Sequence, residues 1–137
     1  MSLIKLIRVG YCLMCGVFAS VALSHDKLYQ CTVKQVLEID EGGYLKPIGD
    51  IGATRVGSTF TINRSTGEVW GKSISTKYAD ALKIVDKGGD SNNFKISAVI
   101  NHLNSTHFFI EVVDYKPKLE YSFSGYFKFN HIAGLCK

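Results

Sequence analysis

Residues 60–71, FTINRSTGEVWG, alternate apolar and polar side chains, break at Arg64-Ser65-Thr66-Gly67, and then alternate again. A period of two is the mark of a half-buried strand. A four-residue polar break ending in Gly supplies the positive φ that closes a tight turn. The stretch therefore predicts a hairpin, with Thr59 to Asn63 and Glu68 to Lys72 as its arms. Taken as representative, it predicts a fold built from short antiparallel strands.

The flanking sequence follows the same rule. Tyr29, Cys31, Val33, Gln35, Leu37 and Ile39 share one parity against Gln30, Thr32, Lys34, Glu38 and Asp40, with Val36 as the one exception. Leu82 to Asp86 and Phe94 to Ile100 flank a turn-rich cluster, Lys87-Gly88-Gly89-Asp90-Ser91-Asn92-Asn93. Thr106 to Tyr115 is apolar on both parities, as in a strand covered on both faces. Tyr121, Phe123, Gly125, Phe127 and Phe129 then alternate with Ser122, Ser124, Tyr126, Lys128 and Asn130, as the last of the expected strands. One short helix is expected at Thr76 to Leu82, capped by Thr76. Residues 40–57 carry five glycines and read as one long loop, the kind that often serves binding.

The leader decides what portion of the chain folds. Lys5 and Arg8 precede an apolar run from Val9 to Leu23, and Ala22-Leu23-Ser24 offers small side chains at the last and third-last positions. This is the pattern of a cleaved export signal, predicting a leader at residues 1–24 and a single β-rich domain at residues 25–137. The run is too short for a spanning helix, which needs about 20 apolar residues. No lasting membrane insertion is expected. Cys12 and Cys15 fall inside the leader, leaving Cys31 and Cys136. Two cysteines in an exported chain most simply pair, and this pair would tie the first strand to the chain's end. The expected fold is thus all-β, an antiparallel meander bent into a strongly curved sheet or small barrel, closed by a Cys31–Cys136 disulfide.

Charge and motifs exclude more than they select. Without Lys5 and Arg8 the 16 basic residues fall to 14 against 12 acidic ones, a net +2 with no basic run. That leaves no footprint for nucleic acid. No G-x-S-x-G elbow, phosphate loop or His-Glu-x-x-His occurs. No catalytic residues and no cofactor are expected. An enzyme would require His102 or His107 beside Glu111 or Asp114. Two Asn-x-Ser/Thr triplets, at Asn63 and Asn104, fall in expected turns.

Cleavage after Ser24 would make His25 the amino-terminal residue, joining an α-amine and an imidazole. This resembles the amino-terminal histidine arrangement of periplasmic copper-binding β-sandwiches and copper oxygenases, and the resemblance implies a copper chelate at His25. No other metal site is expected.

The functional expectation is a small periplasmic or extracellular binding module, of the inhibitor or immunity type, acting on another exported protein. Its contact surface is placed at Tyr44, Lys46, Arg55 and Trp70, because Tyr, Trp and Arg dominate interface energetics. The alternative is a carrier of a small apolar ligand. Eight of the 14 aromatic residues after the leader lie between Phe108 and Phe129, enough to line a barrel.

Overall fold

The computed structural model describes residues 28–49, 54–101, 106–115, 119–127 and 129–137. The expected leader, His25 and His102 lie outside these residues. Nine strands form one antiparallel sheet: β1 (Leu28–Ile39), β2 (Leu45–Pro47), β3 (Thr59–Asn63), β4 (Val69–Gly71), β5 (Ala81–Lys87), β6 (Phe94–Ile100), β7 (Thr106–Val112), β8 (Tyr121–Phe127) and β9 (Asn130–Cys136). Their order is β4-β3-β1-β9-β8-β7-β6-β5, with β2 beside β3 along the same edge of β1. The sheet curls into a half-barrel whose two edge strands, β4 and β5, are not paired with each other.

The curl is set by where the apolar residues alternate. Phe60, Ile62, Val33, Ile132, Phe123, Phe127, Phe108, Ile110, Phe94 and Ile96 all point into the concave side and are buried. Burying a side chain of this size is worth about 1.5–3 kcal/mol each, so the concave face supplies the driving force. The rings meet edge to face, Phe60 on Phe123 at 5.1 Å and Phe108 on Phe127 at 5.7 Å. Where β1 crosses β9 the strands come very close. A Cβ on Gly134 would collide with the Thr32 carbonyl and stand 2.7 Å from the Phe123 ring.

The exception at Val36 has a structural cause. The register of β1 on β9 runs Val33 to Gly134 and then Gln35 to Ala133, leaving Lys34 as the extra residue of a β-bulge. One extra residue exchanges the two faces. Val33 and Val36 therefore both face inward, while Leu37 and Ile39, which strict alternation assigns to the core, turn to the outside.

The hairpin at residues 60–71 forms as expected, and its turn has a second task. Asn63 Oδ1 accepts hydrogen bonds from Ser65 N–H and Thr66 N–H, and Gly67 takes φ +77°. Gly67 is buried: a Cβ there would meet Ile84 at 3.1 Å and Ile96 at 3.3 Å. The turn thus plugs the opening between the two edges of the half-barrel.

Three expectations are corrected. No helix forms at 76–82. Thr76 instead pairs with Val69, its N–H donating to the Val69 carbonyl at 3.0 Å and its hydroxyl accepting from Val69 N–H at 2.9 Å, so this segment extends the β4 edge and β5 begins at Ala81. Residues 40–57 are not one loop, because β2 folds back on β1 through a turn in which Asp40 Oδ1 accepts from Gly42 and Tyr44 N–H. The aromatic β8 is followed by a further strand, β9, which carries Cys136.

Cys31 and Cys136 are bonded, with S–S at 2.04 Å. They face each other on neighbouring antiparallel strands, flanked by Gln30 and Lys137, which exchange both backbone hydrogen bonds at 2.9 Å. The cysteines therefore occupy a non-hydrogen-bonded pair position, where Cα atoms come closest. Their Cα separation is 3.9 Å.

Candidate functional site

The two ends of the half-barrel are built with the same two side-chain types and completed differently. At the end where β1 starts, Tyr29 is buried against Phe94 and Tyr121 at ring distances of 5.5 and 6.1 Å. The Arg64 guanidinium lies 5.0 Å above the Tyr29 ring. Between them stands Asp114, whose side chain is 5% exposed. Its Oδ2 accepts from Arg64 Nη2 at 3.0 Å and from the Tyr29 hydroxyl, and its Oδ1 accepts from Phe94 N–H at 3.0 Å. One carboxylate thereby joins β1, the β3–β4 turn, β6 and the segment after β7. Burial, and next the hydrogen bond to Asp114, push the Tyr29 hydroxyl well above the ordinary tyrosine range.

At the opposite end, where β1 finishes, the Arg55 guanidinium lies 5.7 Å from the centre of the Phe127 ring. Arg55 sits in the turn ahead of β3, tied down where Gly57 N–H donates to the Val33 carbonyl at 2.8 Å and Ser58 Oγ donates to Arg55 O at 2.6 Å. Among the described residues no ion pair to a carboxylate completes this stack. Arg55 Nη1 is buried without a hydrogen-bond partner. A guanidinium nitrogen removed from water and left unpaired costs free energy that the fold must offset elsewhere.

The surroundings of this second end are apolar and exposed. Phe129, between β8 and β9, is 87% exposed, and Tyr44, at the tip of the β1–β2 turn, is 74% exposed. Ile39, Leu45 and Val56 are also about half exposed. Of the four residues expected to form a contact surface, three come together here. Lys46 pairs with Glu38 at 3.5 Å, Glu38 aligns through Asn130 with Phe127, and Phe127 carries Arg55. Trp70 does not join them. It aligns with Thr61 and Gln30, on the outer face and eight residues from Glu38, roughly 26 Å along β1 at about 3.3 Å per residue.

Trp70 instead neighbours a shallow polar groove of about 460 Å³ on the outer face, lined among others by Gln30, Thr32, Lys34, Thr61, Glu120 and Lys137. Lys137 Nζ and Glu120 Oε1 are 3.3 Å apart, so the charges of this groove partly satisfy one another.

The residues an enzyme would need are not assembled among the described residues. His107 and Glu111 share the outer face of β7 but lie four residues apart, about 13 Å along the strand. Glu111 is held by Asn93 Nδ2 at 2.6 Å and Lys95 at 3.6 Å, and Asp114 is occupied as described. His131 stacks on Tyr126 at 4.1 Å. No cluster of three His, Cys, Asp or Glu side chains suited to a metal occurs among the described residues, and none of their helices is long and apolar enough to cross a membrane. Sequence reading had selected Asp114 only as a catalytic carboxylate and had not singled out Tyr29 or Arg64 as its partners. No local pattern links positions 29, 64 and 114, and only the sheet order brings them together.

No protein-family model, curated protein or solved structure matches this chain.

Proposed function

We propose that this chain is an exported binding module that engages another exported protein through the end of the half-barrel carrying Tyr44, Lys46 and Arg55. The charged and apolar leader and the Cys31–Cys136 bridge support export to a periplasmic or extracellular, oxidising place. One observation carries the placement of the surface. Tyr44, in the β1–β2 turn, and Phe129, in the β8–β9 turn, stand 74% and 87% exposed at the end of the sheet where Lys46 pairs with Glu38. Exposed aromatic residues beside charged ones are what a protein interface requires, with aromatic and Arg side chains supplying most of its energy. Trp70 drops out of this surface, since it belongs to the other face. The carrier reading draws less support, because the aromatic rings of the concave face pack on one another.

The test uses native mass spectrometry on the protein recovered from its host's exported fraction. The expected result is a protein-sized added mass that Tyr44→Ala with Phe129→Ala removes and Trp70→Ala leaves in place. A partner retained by the double variant and lost with Trp70 would move the surface to the outer face. An apolar small-molecule increment in place of a protein would turn the assignment to a carrier.

A further inference from the structure

We infer that the polar groove on the outer face binds an oligosaccharide, with Trp70 as the ring on which a sugar stacks and Lys34 as the contact for an acidic sugar unit. This site is separate from the protein-contact surface proposed above, which lies toward the other end of β1. The register of the sheet builds it. Trp70 aligns with Thr61, Thr61 with Gln30, Gln30 exchanges backbone hydrogen bonds with Lys137, and Lys137 Nζ reaches Glu120 Oε1 at 3.3 Å. These side chains form one row across neighbouring strands, spanning four inter-strand steps or about 19 Å at roughly 4.8 Å each. Thr59, Thr32 and Leu135 align in a second row beside it, and the groove of about 460 Å³ lies along the two. The groove is open to a ligand, since Gln30, Lys34, Glu120 and Lys137 are exposed and Trp70 is 45% exposed. Lys34, which also lines it, is the extra residue of the β1 bulge, and a bulge re-aims the side chain it carries.

The lining chooses the ligand. Threonine hydroxyls and the Gln30 amide each both donate and accept, which matches sugar hydroxyls that do the same. An exposed indole beside them supplies a flat apolar surface for the C–H face of a sugar ring. An apolar ligand would find little to cover, because Leu135 is exposed but Cys31 and Phe60 are buried beneath the groove. An extended peptide takes its affinity from an open sheet edge, whereas β3, β1 and β9 under this groove each have a strand on both sides. Nucleic acid needs clustered cations. Here Glu120 offsets Lys137, and Lys34 alone is left with no ion pair among the described residues. One uncompensated cation in a row of hydroxyls and amides favours a sugar bearing a carboxylate over a neutral one.

The whole chain, with its disulfide intact, is first applied to an array of uronate, sialylated, chito- and gluco-oligosaccharides. The expected result is binding to acidic members. Trp70 is the only tryptophan in the chain, so titration with the best-bound member should shift the intrinsic emission saturably and report this groove directly. By calorimetry, Trp70→Ala should weaken that member by about tenfold or more, at least roughly 1.4 kcal/mol, and Trp70→Phe, which keeps a ring, by less. Lys34→Gln should weaken it by about threefold, within the range of an exposed ion pair, and leave its methyl-esterified counterpart unchanged. Both positions are exposed, so all three variants should keep the urea midpoint of the wild type. Failure to bind any member of the array overturns the inference, as does a bound saccharide whose affinity survives Trp70→Ala. Neutral members bound as tightly as acidic ones overturn the role given to Lys34.

Discussion

The end of the half-barrel where β1 begins is fastened several times over, and the end where β1 finishes is hardly fastened at all. The first has the Cys31–Cys136 bridge, the Gln30–Lys137 hydrogen-bond pair, and the Asp114 carboxylate joining four segments. The second has a three-residue strand, β2, an ion pair exposed to water, and an arginine whose Nη1 has no hydrogen-bond partner. Both ends use an arginine over an aromatic ring, so the difference lies in what completes the stack. A small domain has few stabilising interactions to distribute, and here they are concentrated at one end. The other leaves Tyr44 and Phe129 exposed and the Arg55 Nη1 buried without a hydrogen-bond partner.

The largest test of this contrast is the bridge. Cys31→Ala with Cys136→Ala is expected to lower the unfolding free energy by about 4–5 kcal/mol, the chain-entropy value for a loop of about 100 residues. Urea unfolding of the wild type with and without reductant, beside the double variant, measures it. A loss below about 1 kcal/mol would show that the strand pairing holds this end by itself.

Next comes the carboxylate. Asp114→Ala leaves the Tyr29 hydroxyl and Phe94 N–H without their acceptor and Arg64 without its counter-charge, all facing a largely buried site. The expected cost is about 3 kcal/mol, somewhat reduced because Arg64 is partly exposed and can rehydrate. It is read as a shifted urea midpoint, with faster hydrogen exchange at the Phe94 amide. If the two ends were fastened equally, exchange would rise at the β2 amides to the same degree.

Tyr29→Phe separates the hydrogen bond from the ring. The ring packing survives, so the cost at neutral pH is about 1 kcal/mol. The alkaline limb carries the sharper signal. The folded-state hydroxyl titrates above its unfolded value of 10.0, so the folded chain holds the proton more tightly. The stability it contributes is present in full below pH 10.0 and is lost as pH climbs from there toward the folded value. Wild type should therefore lose stability more steeply above pH 10 than Tyr29→Phe does. Parallel curves would mean that Tyr29 titrates as an ordinary tyrosine.

How much of this contrast was legible in the sequence depends on how local its causes are. The residues 60–71 hairpin was legible, because alternation, Asn63 and Gly67 are all within one turn of each other. The bridge was legible because the other two cysteines, Cys12 and Cys15, fall in the expected leader. β9 was missed, since Asn130-His131-Ile132-Ala133-Gly134-Leu135-Cys136 has no clean alternation and Gly134 is there for the close approach to Thr32. The helix expected at Thr76 was wrong because its capping hydroxyl serves Val69, seven residues back, instead. Parity misassigned Leu37 and Ile39 because a bulge exchanges faces without leaving a residue type that marks it. The expected contact residues Tyr44, Lys46, Arg55 and Trp70 were picked by type alone, and the register carries Trp70 to the outer face, away from Lys46. The Asp114 hub was invisible, since its partners are 85 and 50 residues away in the chain.

The smallest expected effect is also the one that separates the two ends most cleanly. If Arg55 were a structural partner like Arg64, replacing it with Leu would cost stability. If it is held for a partner, Arg55→Leu removes an unpaired buried guanidinium nitrogen and leaves an aliphatic side chain against Phe127. Replacing an unsatisfied polar group by an apolar one of similar reach is neutral or stabilising, so the expected change lies between zero and about 1 kcal/mol in favour of folding. Arg64→Leu, by contrast, strands the buried Asp114 and should cost about 2–3 kcal/mol, the charge on Asp114 then lacking its counter-ion. Equilibrium unfolding of the two variants side by side decides the matter. Opposite signs would mean that an arginine over an aromatic ring fastens the end where β1 begins and does not fasten the end where it finishes. Equal losses would mean that both arginines are fastenings, and that the end around Tyr44 and Phe129 must draw its binding energy from apolar contact alone.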